Sequence, residues 1–130
     1  MRMDNSGSVI GRLDGQVPDT VMIGSHLDSV QFGGAYDGIA GVVCAIEAVR
    51  QMAESNEKPF YSIEVIATND EEGSRFKSGL FTGKVMDEQL TVEDIQRYKD
   101  ADGVSVYAAM KEYGLNPDEI ASHKRTDVKA

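Results

Sequence analysis

A single cysteine, Cys44, stands in 130 residues, so no disulfide can form within the chain and a reducing compartment is the natural setting. Basic residues are scarce as well. Thirteen Lys and Arg face 22 Asp and Glu, for a formal net charge of −9 and a sequence pI near 4.6. This balance lacks the basic footprint that holds nucleic acid or an anionic membrane. No apolar run is long enough to span a bilayer, and residues 1–7 carry no apolar stretch of the kind found in signal peptides. A cytoplasmic protein is expected, with no nucleic-acid or membrane partner. Two ligand motifs are also missing. The glycines at 33, 34, 38 and 41 precede no Lys-Ser or Lys-Thr pair and do not have Gly-x-Gly-x-x-Gly spacing. Residues 69–73 lack the alternating oxygen ligands and terminal Glu of an EF-hand loop.

What is present fits one soluble globular domain, 41% hydrophobic and 27% charged. After a polar, loose start, residues 8–13 read as a short strand closed by Asp14-Gly15, with residues 20–24 as its hairpin partner. From Gly38, the apolar residues Ile39, Val42, Val43, Ile46, Val49 and Met52 recur at helical spacing to about Ser55, and Cys44 is read as packing on the inward side. Residues 60–68, β-branched and aromatic, form the best strand of the chain. Strand, helix, strand implies a right-handed crossover in a parallel sheet. Beyond Lys84 the texture turns to short charged helices: one begins at Thr91, one spans Asp102 to Tyr113 and stops at Gly114, and one is capped by Asn116 with Pro117 in its first turn. His123, in Ser122-His123-Lys124-Arg125, reads as exposed.

The chain is organised around residues 24–41. His26 and Asp28 stand at the carboxyl end of a strand, the edge where open α/β sheets place their ligands, and residues two apart on a strand face one side. Asp28 can therefore face the same point as His26 or support the imidazole from behind. Asp37 occupies a helix N-cap position, and glycines before it let the loop fold back on His26. If the strand 60–68 lies beside the first, Asp70, Glu71 and Glu72 open on the same edge. One His with carboxylates is a mixed nitrogen and oxygen set that suits zinc or manganese. Of two adjacent glutamates, one can bind metal while the other takes a proton from water. Taken alone, Asp37 reads as a cap and 70–72 as a solvated acidic loop. Arg75 could act on a substrate carboxylate or hold that loop through Asp70, and the structural role is the one expected.

The stretch Gly24-Ser25-His26-Leu27-Asp28-Ser29-Val30, with Gly33-Gly34-Ala35-Tyr36-Asp37-Gly38 and Asn69-Asp70-Glu71-Glu72-Gly73-Ser74-Arg75-Phe76, resembles the dinuclear metallohydrolases of the aminoacylase and carboxypeptidase superfamily. Within it, the chain is most similar to the amidase branch containing N-carbamoyl-L-amino-acid hydrolase and allantoate amidohydrolase. The resemblance implies a three-layer α/β/α catalytic domain with a mainly parallel sheet. It also implies a hydrolase of linear amide C–N bonds and a small ureido or amide substrate such as an N-carbamoyl amino acid or allantoate. Two divalent ions, zinc or manganese, are implied, with His26 binding one, Asp37 bridging both and Glu72 binding the second. Glu71 would be the general base, and Asp28 would orient His26.

The resemblance to this amidase branch also implies two further metal-binding histidines, an initial helical region and a dimerisation domain, in enzymes that are typically homodimers. None of these has a counterpart in residues 1–130. The expectation is therefore a partial catalytic domain, with 1–83 the metal-motif region and 84–130 helical, inactive by itself. A non-catalytic truncated module or metal-free binding domain is one alternative reading. A metallopeptidase or aminoacylase of the same superfamily is the other.

Overall fold

In the computed structural model, which describes residues 1–122 and 124–130, four strands form one mixed sheet. The strands are β1 (Arg2–Met3), β2 (Val9–Leu13), β3 (Val17–His26) and β4 (Tyr61–Thr68), and their order across the sheet is β1-β2-β4-β3. β4 pairs parallel with β3 and antiparallel with β2, and β1 runs antiparallel to β2. The α/β class holds. The hairpin expected between the first two long strands does not form, because β4 lies between them. Its residues explain why: of Ser62 to Ala67 only Val65 is not buried, the signature of a strand covered on both faces. β3, partly exposed along its length, takes an outer position, and Pro18 sits in a bulge between Val17 and Thr20.

Helix α1 (Ile39–Glu54) crosses from β3 to β4 and packs on both. It buries a narrower stripe than its apolar periodicity suggests, chiefly Val42 and Ala45. Val43 and Ile46 remain more than half exposed, and Cys44, expected to face inward, is exposed as well. Cys44 lies about 100° round the helix from Val43, and both turn away from the sheet. On the opposite face lies α2 (Phe81–Met86), joined to the residue just before β2 by the buried contact of Ser8 Oγ with Thr82 Oγ1 at 2.9 Å. The result is three layers.

Phe81 and Val85 of α2 also enter a second core with Leu90, Ile95, Val106, Met110 and Ile120, built by α3 (Val92–Arg97), α4 (Val106–Tyr113) and the 3-10 turn Pro117–Ser122. The caps follow their chemistry. Thr91 and Asp94 make a reciprocal capping box, and Gly114, at φ 90°, stops α4. The helix expected from Asp102 begins instead at Val106. Gly103 has φ 79°, outside the helical region, and Ser105 takes the cap by accepting from Ala108 N. His123 lies outside the described residues. No helix among the described residues is long and apolar enough to cross a membrane.

The start of the chain, expected to be loose, is held by a charge. Glu64, in the middle of β4 and 1% exposed, accepts from Arg2 at 3.1 and 3.3 Å, from Arg12 at 3.1 Å and from Arg125 at 2.8 Å. Arg125 also donates twice to Asp127, whose carboxylate accepts from Thr20 Oγ1. Burial alone would push the Glu64 carboxyl up; the hydrogen bonds from Arg2, Arg125 and Arg12 outweigh it and hold the group below its ordinary range. Arg125 likewise holds Asp127 down. Both carboxylates contribute stability that is fully present above their unfolded values, about 4, and is lost as pH falls through and below that range. Glu64→Gln is expected to cost about 3 kcal/mol, the low end for a broken buried pair because all three arginines reach water, and to flatten the acid limb of stability between about pH 5 and 3. Urea unfolding across that range measures both.

Candidate metal centre

Because β3 and β4 run parallel, with His26 in register with Thr68, their carboxyl ends and the loops that follow emerge at the same edge. Leu27 N donates to Thr68 O at 2.8 Å and keeps the two ends together for one residue more. The chain after β3 turns at once. His26 Nδ1 lies 2.7 Å from the main-chain carbonyl of Asp28, which can only accept. The proton therefore resides on Nδ1, and Nε2 keeps its lone pair in the neutral ring. That same hydrogen bond is the main cause raising the His26 pKa above its usual value; burial opposes it, and Asp28, Asp37 and Glu72 add to it.

Nε2 of His26 faces two carboxylates, with Glu72 Oε1 at 3.5 Å and Asp37 Oδ1 at 3.9 Å. All three donor atoms lie within 4.8 Å of one another. Asp37 reaches this point because the loop returns through Gly38, whose φ of 71° favours glycine and where a Cβ would lie 2.5 Å from His26 Nδ1. Asp37 does not cap α1. The cap position belongs to Gly38 and has no side-chain hydrogen bond. Instead, Asp37 Oδ2 accepts from Ser29 Oγ at 3.0 Å and from Val30 N at 3.1 Å, which turns Oδ1 toward the histidine.

Asp28 contributes at two points. Its carbonyl orients His26, while its carboxylate reaches across to β4 and accepts from Glu71 N at 3.1 Å and Glu72 N at 3.0 Å. One side chain thereby fixes the backbone of the acidic loop against the loop after β3. Glu71 lines a cleft of about 360 Å3 that also includes His26, Thr68, Gly24, Thr82 and Met86. Burial is the first cause raising its pKa, with Asp28 and Glu72 adding while His26 and Lys84 oppose. A carboxyl beside a histidine and a free wall of cleft is placed to exchange protons.

The third acid of this loop is structural. Asp70, at φ 50°, turns in to Ser78 and is raised mainly by burial. Arg75 was expected to pair with Asp70, but its guanidinium meets Asp100 at 3.0 Å instead. The Asp100 side chain is only 9% exposed and already accepts from Asp102 N and Val104 N, so the acidic loop is tied to the helical layer as well as to itself. Sequence reasoning missed two residues. Ser29 is one polar residue among several in its loop, whereas Glu64 carries a signal that could have found it, as the one acid of residues 60–68.

The chain belongs to peptidase family M28, whose model matches residues 8–126. Within that class it falls in the amidase branch. It is 43% identical over 123 residues to the N-carbamoyl-L-amino-acid amidohydrolase of Pseudomonas sp. (strain NS671), a match covering 93% of this chain and 30% of that protein. It is 39% identical over 131 residues to the allantoate amidohydrolase of Bacillus subtilis (strain 168), covering 99% of this chain and 32% of that protein. Among solved structures, a hydantoinase/carbamoylase family amidase from Burkholderia ambifaria matches with TM-score 0.76 and 30% identity over 98% of this chain and 31% of that one. AtUAH in complex with glyoxylate matches with TM-score 0.82 and 30% identity over 95% and 31%. The chain spans about a third of the length of the curated relatives it matches.

The clamp made by Asp28 can be tested directly. Asp28→Asn keeps the carbonyl that orients His26 but replaces one acceptor oxygen with a donor, so one amide of Glu71 or Glu72 loses its partner. A hydrogen bond to a charged group contributes about 1.5–3 kcal/mol, and amide exchange at one or both positions is expected to accelerate by about tenfold or more, as read by NMR.

Proposed function

We propose that this chain carries the metal-binding and proton-transfer groups of an amidohydrolase that cleaves the linear amide C–N bond of N-carbamoyl amino acids or allantoate-like ureido acids. The observation that supports this reading is the convergence of His26 Nε2, Asp37 Oδ1 and Glu72 Oε1 beside Glu71, in a chain similar to amidases of those names.

The donor set fits a metal. Nε2 is left free by the bond on Nδ1, the two facing groups are carboxylates, and one nitrogen with two oxygens suits zinc or manganese better than calcium or magnesium. With two ions bound, His26 would hold one and Glu72 the other, and Asp37 would be shared by both. Such ions supply a water of lowered pKa and polarise the carbonyl under attack. The protein groups do the rest. Glu71, on the cleft wall, takes a proton from the attacking water and returns it to the departing nitrogen. Asp28 holds His26 through its carbonyl and the Glu71-Glu72 backbone through its carboxylate, so that base and ligands keep a common frame.

Glu71→Gln is expected to leave Zn2+ or Mn2+ content nearly intact while lowering turnover by about 10²–10⁴; Glu72→Gln is expected to weaken metal retention. Metal analysis after dialysis, paired with ammonia release from N-carbamoyl amino acids and from allantoate, separates the two roles in a polypeptide of the relatives' length. Equal loss of metal in both variants would refute the division. The 130-residue chain alone should bind metal weakly and release no ammonia, because two ions sharing Asp37 would each have two protein donors where catalytic zinc commonly has three. Tight metal without turnover would instead favour a non-catalytic binding module.

A further inference from the structure

Asp37 sits at the end of an exposed loop, with Phe32 96% and Tyr36 81% exposed; its carbonyl accepts from Ile39 N at 2.8 Å, but its carboxylate makes no capping bond to the helix that follows. A carboxylate on such a loop would sample several rotamers. What fixes it is local. Ser29 Oγ at 3.0 Å and Val30 N at 3.1 Å both donate to Oδ2. The hydroxyl has one proton and a second, neutral acceptor in Val30 O at 3.3 Å; the shorter contact to the charged oxygen is the stronger. With Oδ2 occupied, Oδ1 is the oxygen presented to His26 Nε2.

The surroundings match this purpose. A Cβ at Gly33 would lie 2.5 Å from Asp37 Oδ2 and 2.7 Å from Ser29 Oγ, so the pair occupies a cradle that only the absence of a side chain leaves open. Ser29 is itself anchored to the acidic loop, since its carbonyl accepts from Ser74 Oγ at 3.3 Å. One residue thus touches the Asp37 carboxylate with its side chain and the loop that carries Glu72 with its backbone.

We propose that Ser29 is a positioning residue that aims the Asp37 carboxylate at the divalent-cation site through its hydroxyl. The proposal rests on the metal reading given above and adds a residue to it. Groups that orient a ligand in this way commonly change metal affinity by about 10–100-fold when removed.

The test is a Mn2+ titration of the chain, with free ion followed by its EPR signal, for wild type, Ser29→Ala, Ser29→Thr and a His26→Ala control. Thermal unfolding without metal is recorded for each. Ser29→Ala is expected to weaken Mn2+ by about tenfold while metal-free unfolding stays near wild type, and Ser29→Thr, which keeps the hydroxyl, is expected to restore most of the affinity. Equal affinity of Ser29→Ala and wild type would overturn the proposal. So would a Ser29→Thr variant as weak as Ser29→Ala, or a loss of affinity that only tracks a loss of metal-free stability. Wild type binding no better than His26→Ala would overturn the metal reading itself, and this inference with it.

Discussion

The site depends on the contact between Asp28 and the backbone of Glu71 and Glu72. Two strands far apart in sequence end at one edge because they pair in parallel, but parallel pairing alone leaves two loops free to diverge. The Asp28 carboxylate closes that freedom by accepting from both amides. A carboxylate with two N–H donors makes charge-assisted hydrogen bonds, stronger than neutral ones. Because the same residue's carbonyl holds His26 Nδ1, the imidazole and the acidic loop share a reference point. The acidic centre gathers several like charges, and such a gathering needs fixed dipoles and a histidine among them to stay assembled.

The sheet behind this centre is held by a different kind of contact. Glu64 is a buried anion that would be costly alone. Three guanidinium groups, from β1, β2 and the segment after the 3-10 turn, converge on it. Through Arg125, Asp127 and Thr20 the network continues to β3, and the final residues lie beside that strand, with Met22 N donating to Ala130 O. Both ends of the chain are thereby tied to the same strand, β4, whose carboxyl end carries the acidic loop.

The loops around the site trade regularity for reach. Phe32, Asp70, Lys77 and Leu80 all adopt positive φ without being glycine, conformations that cost energy and persist where surrounding contacts hold them. The contacts are identifiable: Leu80 N donates to Glu71 O, Ser78 Oγ to Asp70, and Arg75 to Asp100. The acidic loop is consequently shaped by the helical layer as well as by the sheet.

Residue types and local spacing were enough to mark the strand that leads to His26, the strand that ends at Thr68, the helix between them, the capped helix start at Thr91, the stop at Gly114, and the polar residues grouped at the sheet edge. These are short-range features, set by backbone preference, periodicity and cap chemistry within a few residues of each other. Strand order was not legible, because the apparent turn at Asp14-Gly15 says nothing of a strand nearly fifty residues later that pairs better with both neighbours. Nor was the partner of each charge. Asp37 looks like a cap in sequence and is instead turned by Ser29, the Arg75 guanidinium passes over the nearby Asp70 for Asp100, and Cys44, read as inward, faces outward because the sheet covers only the narrow stripe of α1 around Val42 and Ala45. Which acceptor a donor finds depends on distances across the folded chain, and those exist only once the layers have packed.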